Sequence, residues 1–297
     1  MIALTVFTPT YNRAHTLGRT YASLARQTCK DFEWLIIDDG STDNTYTYAK
    51  EWIAEQKVSI RYMYKENGGL FTGYNSAYEH AQGELVVCVD SDDYMPDNAV
   101  ELIVNTWQQR GSKHYAGLLG LDFLLDGTPI GGYFPTNLSE VYYYELNARR
   151  IRTGDSKPVL RTDLARQVTP MIGFTGEKNF NPVYMTWQVC DLLPLLILNE
   201  NICFVDYQYQ VGGDSMSAGI WKQYANSPHS FQKQRILEMQ LRHNCLSNRL
   251  RVAIHYVAES LLANDPHWLR HSPCKFLTFI VSPTGFCLYL LILWKNR

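Results

Sequence analysis

Asp90, Asp92 and Asp93 place three carboxylates within four residues, directly after the apolar run Leu85–Val89. Charged together and uncompensated, such carboxylates repel one another, and burial raises the cost. A divalent cation relieves it. Oxygen ligands suit Mg²⁺ or Mn²⁺, and Mg²⁺ takes one or two carboxylates together with phosphate oxygens. The plain alternative is a solvated acidic turn in which Asp97 caps the next helix. Other polar clusters stand at comparable places. Thr8-Pro9-Thr10-Tyr11-Asn12-Arg13 closes the first apolar run, Asp38 and Asp39 close the second, and Asn67-Gly68-Gly69 closes the third. An Asn-Gly-Gly segment can present backbone N–H groups and let another backbone approach closely, although an ordinary turn uses the same residues.

The elements that must position these clusters follow from hydrophobic spacing. Strands are predicted at Ala3–Thr8, Glu33–Asp38, Ser59–Lys65 and Leu85–Val89, with helices at Leu17–Gln27, Thr42–Glu55, Thr72–Ala81 and Asp97–Gln109. Strand-helix units in this order imply an α/β fold with a mainly parallel, doubly wound sheet. In such sheets ligands bind beyond the carboxyl ends of the strands, and each cluster follows such an end. Beyond residue 115 the pattern is irregular. A hairpin is expected around Asp126-Gly127, with short strands at Val141–Glu145 and Lys157–Arg161. A helix is expected over Tyr184–Leu198, a strand over Ile202–Val211, then a loop at Gly212–Ser217 and a long basic helical stretch from Ser230 to Asn264.

In order and spacing, Thr8–Arg13, Asp38-Asp39-Gly40-Ser41-Thr42-Asp43, Asn67-Gly68-Gly69 with Asn75, and Asp90-Ser91-Asp92-Asp93 resemble the family 2 glycosyltransferases. The resemblance is close over residues 3–110 and loose to about 217. It implies a GT-A fold, a nucleotide-diphospho-sugar donor and inversion at the anomeric centre. It puts Thr8, Tyr11 and Arg13 at the nucleotide and Asp39, with Asp38 beside it, at the base, usually uracil. Asn67, Gly68 and Gly69 fall in the loop by the nucleotide-sugar. Asp90 falls near the ribose and the metal, and Asp92 is the metal ligand of the D-x-D motif. Gly176-Glu177-Lys178 resembles a subgroup carrying Gly-Glu-Lys before a Pro-Glu pair. Here the later pair is Pro182-Val183, with one extra residue between, and Leu70-Phe71 stand where that subgroup tends to have Lys and His. An inverting transfer needs a carboxylate to accept the acceptor's proton. Glu177 is the first candidate and Asp191 the second, with a structural ion pair as the alternative for Glu177. Gly213–Ser217 resembles the family's segment over the donor, and could equally begin a helix. Tyr184, Trp187 and Trp221 are candidates for stacking on sugar rings, or for the core.

The charge is unevenly spread. The total is -2, but residues 1–221 hold 17 basic and 26 acidic residues, a net of −9, whereas residues 222–297 hold 10 and 3, a net of +7. The total argues against a nucleic-acid partner; the asymmetry suits a tail that seeks an anionic surface. From Phe276 to Trp294 no residue carries a formal charge, and Arg270, Lys275, Lys295 and Arg297 flank the stretch. Pro283 and Gly285 interrupt it, so a hairpin or interfacial anchor is expected in preference to a single span or a buried helix pair. The expected organisation is a GT-A domain over 1–220 (nucleotide-sugar half 1–110, acceptor half 111–220), a basic helical extension over 221–272 and an apolar membrane-associating tail over 273–297. Seven scattered cysteines and an N-terminus without a secretory pattern suggest reduced thiols in the cytoplasm. The whole reads as an enzyme peripheral on the inner face of the cell membrane. It would use Mg²⁺ or Mn²⁺ to move a sugar, drawn from a UDP-sugar, to a lipid-linked saccharide acceptor in cell-surface polysaccharide or glycolipid synthesis. A nicotinamide dehydrogenase would need G-x-G-x-x-G after its first strand, and Thr8–Arg13 contains no glycine. A sugar nucleotidyltransferase, or a saccharide-binding protein that has lost catalysis, remains the alternative.

Overall fold

Alternating strands and helices build most of the chain, seen in a computed structural model that describes residues 2–206 and 220–296. The first half runs β1 (Leu4–Thr10), α1 (Ala14–Ala25), β2 (Phe32–Asp38), α2 (Thr45–Glu55), β3 (Ile60–Tyr64), α3 (Leu70–His80), β4 (Leu85–Cys88) and α4 (Ala99–Arg110). Then come β5 (Gly117–Leu124), β6 (Glu140–Val141), α5 (Tyr143–Ala148), β7 (Ser156–Arg161), α6 (Thr162–Gln167), α7 (Val183–Leu192) and β8 (Leu195–Val205). A helical layer completes the chain: α8 (Ile220–Asn226), α9 (Pro228–Gln240), α10 (Leu246–Leu262), α11 (Trp268–His271) and α12 (Lys275–Lys295).

The eight strands form one sheet in the order β3-β2-β1-β4-β7-β5-β8-β6. β1, β2, β3 and β4 pair in parallel, as do β5 and β8; β7 runs antiparallel between β4 and β5, and β6 antiparallel on β8. Every residue of β1 and β2 is buried, because helices cover both faces. Side chains alternate between two cores. Val6, Trp34 and Ile36 face Leu17, Leu24, Trp52 and Ile103, while Phe7, Leu35 and Ile37 face Tyr78, Ala165 and Val189. A third core, around Met239, Val252, Tyr256 and Val281, belongs to the helical layer.

Three expectations need correction. Val141–Glu145 is not a strand: β6 ends at Val141 and α5 begins at Tyr143. The helix expected over Tyr184–Leu198 stops at Leu192. Pro194 cannot donate a helical hydrogen bond, and its carbonyl instead accepts the Ala116 N–H at the start of the β5–β8 pairing. The stretch Ser230–Asn264 is helical as expected, divided into α9 and α10. Finally, Pro283 and Gly285 do not break the tail, which is one helix of 21 residues. Pro283 leaves the Phe279 carbonyl without its helical donor, and the Ser282 hydroxyl donates to that carbonyl at 2.7 Å. At Gly285 a Cβ would come 2.5 Å from Val257 Cβ, so this glycine lets α12 close on α10. Residues 207–211 of the expected strand Ile202–Val211, and the loop Gly212–Ser217, lie outside the described residues.

Candidate active site

Parallel register brings the predicted clusters to one edge. Thr10 is opposite Asp38 and Phe7 opposite Cys88. The ladder continues past the strands: Asp39 N–H donates to the Thr10 carbonyl at 2.8 Å, and Val89 N–H to that of Phe7 at 3.0 Å. The loops after β1, β2, β3 and β4 therefore leave side by side.

The loops after β1 and β2 are stitched together. Asn12, with φ 53, accepts the Thr42 N–H at 2.8 Å, and its own N–H donates to the Ser41 hydroxyl at 2.9 Å. Asp38 accepts the Ser41 N–H at 2.7 Å and the Tyr62 hydroxyl, which burial first and this carboxylate second push well above its ordinary pKa. Asp39 accepts the N–H groups of Gly68 at 3.0 Å and Gly69 at 2.9 Å, together with the Lys65 ammonium. The carboxylate thus shapes the Asn67-Gly68-Gly69 turn. Gly69 has φ +93, and a Cβ there would lie 2.3 Å from the Lys178 carbonyl oxygen. Only glycine lets this loop meet the 176–178 segment, where Lys178 Nζ donates to Asn67 at 2.6 Å.

The three carboxylates after β4 divide. Asp93 turns inward, 3.7 Å from the Lys157 ammonium, which also lies 3.5 Å from Asp122. Burial lifts the Asp93 carboxyl to about 7 and that of Asp122 to about 6, with Lys157 opposing both shifts. Asp90 and Asp92 remain towards the edge. Burial, and then the neighbouring charge of Asp90, raise the Asp92 carboxyl, while Arg13 and Arg19 act in the other direction. Arg19 donates to the Asp92 carbonyl and, at 2.9 Å, to Asp206. The Asp206 N–H reaches Asp93 at 3.3 Å, so the exit of β8 is tied to this cluster. Among the described residues no group of three His, Cys, Asp or Glu side chains is arranged to hold a cation alone. Asp92, whose charge the fold disfavours, and the neighbouring Asp90 nevertheless fit a hard cation that takes its other ligands from phosphate oxygens and water. Asp97, offered as a helix cap, instead pairs with Arg26 at 3.0 Å.

Beyond the Gly68 loop a cavity of about 440 Å³ is lined by Phe71, Thr72, Met171, Phe174 and Glu177 among others. Asn75 builds its wall by holding both the N–H and the carbonyl of Met171 at 2.8 Å. Glu177 reaches the start of α9. Its carboxylate accepts the N–H groups of His229 at 3.1 Å and Ser230 at 2.7 Å, and pairs with His229 Nδ1 at 2.8 Å. These bonds outweigh burial and hold its carboxyl below the usual glutamate range. The His229 side chain is half exposed and lies against Phe174, with ring centroids 5.6 Å apart.

Not every predicted residue comes to this place. Thr8 is fully buried, and its hydroxyl accepts the Trp34 indole N–H at 2.9 Å, so this side chain faces the core instead of the cleft. Tyr11 is exposed, and Arg13 lies near enough to influence Asp92. Asp191 lies about two turns further along α7, where it accepts the N–H groups of Arg242 at 3.0 Å and His243 at 3.2 Å. It is not brought to the cavity. Tyr184 is buried and Trp187 packs on Tyr144 at 5.0 Å, as core aromatics do. Residues passed over in the sequence are Thr10, whose buried hydroxyl has no partner among the described residues, and Arg19, Lys65, Lys157, Asp122, Asp206 and His229. A signal existed for two of them. Lys157 and Asp122 are charges within apolar strands, and such groups are buried only when paired.

A doubly wound sheet with acidic and glycine-rich loops converging at its carboxyl edge defines an α/β protein of the GT-A type. The sequence profile described as Glycosyl transferase family 2 matches residues 5–123, and this segment belongs to that family. Chondroitin synthase of Pasteurella multocida is 37% identical over 99 residues, 33% of this chain and 10% of the synthase. Poly(ribitol-phosphate) beta-N-acetylglucosaminyltransferase TarP of Staphylococcus aureus is 31% identical over 124 residues, 41% of this chain and 38% of TarP. The chain thus spans well under half of these relatives. S. aureus TarS 1–349, solved with UDP-GlcNAc, shares the fold at a TM-score of 0.63 and 15% identity, over 99% of this chain and 91% of that one. A mannosyltransferase from Pyrobaculum calidifontis, solved with GDP-Man and Mn²⁺, has a TM-score of 0.55 at 16% identity, over 99% and 88%.

Proposed function

We propose that the chain is an inverting glycosyltransferase that moves a sugar from a UDP-sugar to a hydroxyl of a saccharide acceptor in cell-surface polysaccharide or glycolipid synthesis. The observation that carries this reading is the division of the acidic cluster. Asp93 pairs with Lys157, whereas Asp90 and Asp92 stay at the same carboxyl edge of the sheet as the Asp39-bound Gly68-Gly69 turn, whose Gly68 lines a cavity of saccharide size. UDP-GlcNAc and GDP-Man in the two solved proteins of like fold support a nucleotide-sugar donor, and Mn²⁺ in the second supports a metal.

Asp39 and the loop after β1, with Tyr11 and Arg13, form the nucleotide end. Asn67, Gly68 and Gly69 shape the passage from there to the cavity, which takes the transferred sugar and its acceptor. Bound by Asp90 and Asp92, Mg²⁺ or Mn²⁺ would neutralise charge developing on the leaving diphosphate. The acceptor oxygen attacks C1 from the face opposite that diphosphate. Its proton passes to the Glu177–His229 pair. Glu177 is ionised throughout the neutral range and fixes the imidazole through Nδ1, which leaves the other ring nitrogen as the proton acceptor. Asp191 is assigned a positioning role at the turn between α9 and α10. Gly176-Glu177-Lys178, which ties α9 to the Gly69 loop, supports placing the chain in the Gly-Glu-Lys subgroup. Orientation in such a site supplies up to about 7–11 kcal/mol of barrier lowering, and general base catalysis about 10²–10⁴-fold.

The test is a screen of UDP- and GDP-sugars with Mg²⁺ and Mn²⁺, measuring what leaves the donor. Release of nucleoside diphosphate with glycosyl transfer is expected. Release of sugar-1-phosphate would make the protein a nucleotidyltransferase. Saccharide binding without metal-dependent turnover would make it a binding protein.

A further inference from the structure

We propose that the outer face of α12 lies flat in the headgroup region of an anionic bilayer while its inner face stays packed on α10. The inference stands apart from the glycosyl-transfer reading, since it concerns a surface with its own contacts and its own assay. At 1.5 Å per residue, the 21 residues of α12 make a rod of about 31 Å. Thr278, Val281, Gly285 and Ile292 are buried and share one stripe. The opposite stripe carries Phe276, Phe279, Ile280, Phe286, Leu290 and Trp294 in the open, Phe276 at 80% and Trp294 at 65% exposure. A contiguous apolar face of this length in water marks an interaction surface.

Length and composition alone would also permit a span. The contacts of α12 argue for the in-plane arrangement. It is fastened to the protein along its whole length: the Thr278 hydroxyl meets that of Ser272 at 2.6 Å, Gly285 sits against Val257, and Asn296 donates to the Trp221 carbonyl at 3.0 Å. A perpendicular crossing would strip these contacts and open the core around Val252 and Tyr256.

Charge selects the occupant. The three acidic residues after residue 221 are all engaged internally. Glu238 and Glu259 bind Arg235 at 2.7 and 3.2 Å, and Asp265 binds His271 at 2.8 Å. Exposed cations remain at both ends of the rod: Arg270 and Lys275 near its start, Lys222 and Lys295 near its end. Each basic residue near an anionic lipid surface favours binding, and an apolar face flanked by cations is the signature of an interfacial helix. A second copy fits less well. The helix contains no acidic residue, so either direction of self-pairing sets lysine against lysine.

The experiment is vesicle flotation of the full chain without nucleotide-sugar, using phosphatidylcholine alone or with phosphatidylglycerol. Binding is expected at least tenfold stronger to the anionic vesicles and weakened by salt. Phe279→Asp with Leu290→Asp should remove it while the thermal melt stays intact, and Lys275→Glu with Lys295→Glu should remove the anionic preference. Fluorophores on Phe276→Cys and Phe286→Cys should report the same shallow depth to lipid-borne quenchers. Absence of binding to either vesicle would overturn the proposal. So would a deep Phe286 probe beside a shallow Phe276 probe, which describes a span, or a dimer that Phe279→Asp with Leu290→Asp dissociates.

Discussion

Replacing Glu177 with Gln removes a charge and a proton acceptor while keeping the shape of the side chain. Two effects follow and differ in size. The carboxylate receives the second and third amides of α9, His229 N–H and Ser230 N–H, so it caps that helix from another segment. A cap contributes about 0.5–2 kcal/mol and a negative charge at a helix N-terminus about 0.3–1 kcal/mol. Gln retains one acceptor oxygen, so about 1–2 kcal/mol should be lost, equivalent to roughly 2–8 °C in Tm for a domain of this size. The chemical effect should be larger. Without the carboxylate that fixes His229, transfer should fall about 10²–10⁴-fold, roughly 3–5 kcal/mol of barrier. The pH dependence has a definite sign. Hydrogen bonds hold the folded-state pKa of Glu177 below its unfolded value, so its contribution is complete above the usual glutamate range and lost as pH falls through the folded value. The Tm gap between the native protein and Glu177→Gln should therefore be full at neutral pH and close in acid. Circular-dichroism melts over a pH series and the rate of nucleoside diphosphate release measure the two effects. A variant with a lowered Tm but near-native transfer would reduce Glu177 to a cap. Full activity in His229→Asn would refute the paired role.

Asp92→Asn should cut transfer about 10²–10³-fold, the range found on removing one electrostatic stabiliser. Because the fold disfavours this charge, its Tm without metal should equal or exceed that of the native protein, and Mn²⁺ should raise only the native Tm. Gly69→Ala should destabilise by at least about 1–2 kcal/mol from the positive φ alone, since the new Cβ also meets the Lys178 carbonyl; chemical denaturation and donor-binding titration read the two consequences. Arg235→Met should cost about 3–5 kcal/mol by leaving Glu238 and Glu259 buried without their cation, beside His255 and Tyr224. Burial raises the Glu259 carboxyl to about 7, so the folded state holds its proton more tightly and stability falls as pH rises from the usual glutamate range to that value. The penalty of Arg235→Met should accordingly be greater at pH 8 than at pH 5.

Most of the first half of the chain was legible because its signals are local. An apolar run followed by Asp or Asn-Gly-Gly states both a strand and its exit, and four such units in succession leave one sheet edge for a site. Asp90, Asp92, Asp39 and Gly69 were picked out in this way, and the fold brings their loops to that edge. The side chain of Thr8 does not reach the cleft, because its spacing is also that of an inward-facing strand position, and Trp34, 26 residues away, donates to its hydroxyl.

Composition and spacing by themselves determined the alternation of strands and helices, the acidic edge, and an apolar tail framed by cations. Tertiary structure alone decided what those groups do. Asp93 and Asp92 are neighbours in sequence, yet only the distant Lys157 pairs with one and leaves the other towards the sheet edge. Glu177 acquires its partner from α9, 52 residues on. Pro283 and Gly285 signal a break in any local reading, but a serine hydroxyl satisfies the carbonyl freed by one, and α10 needs the space left by the other. Local rules describe what a residue does to its own backbone; whether a charge is neutralised or a helix continues depends on partners that only the folded chain supplies.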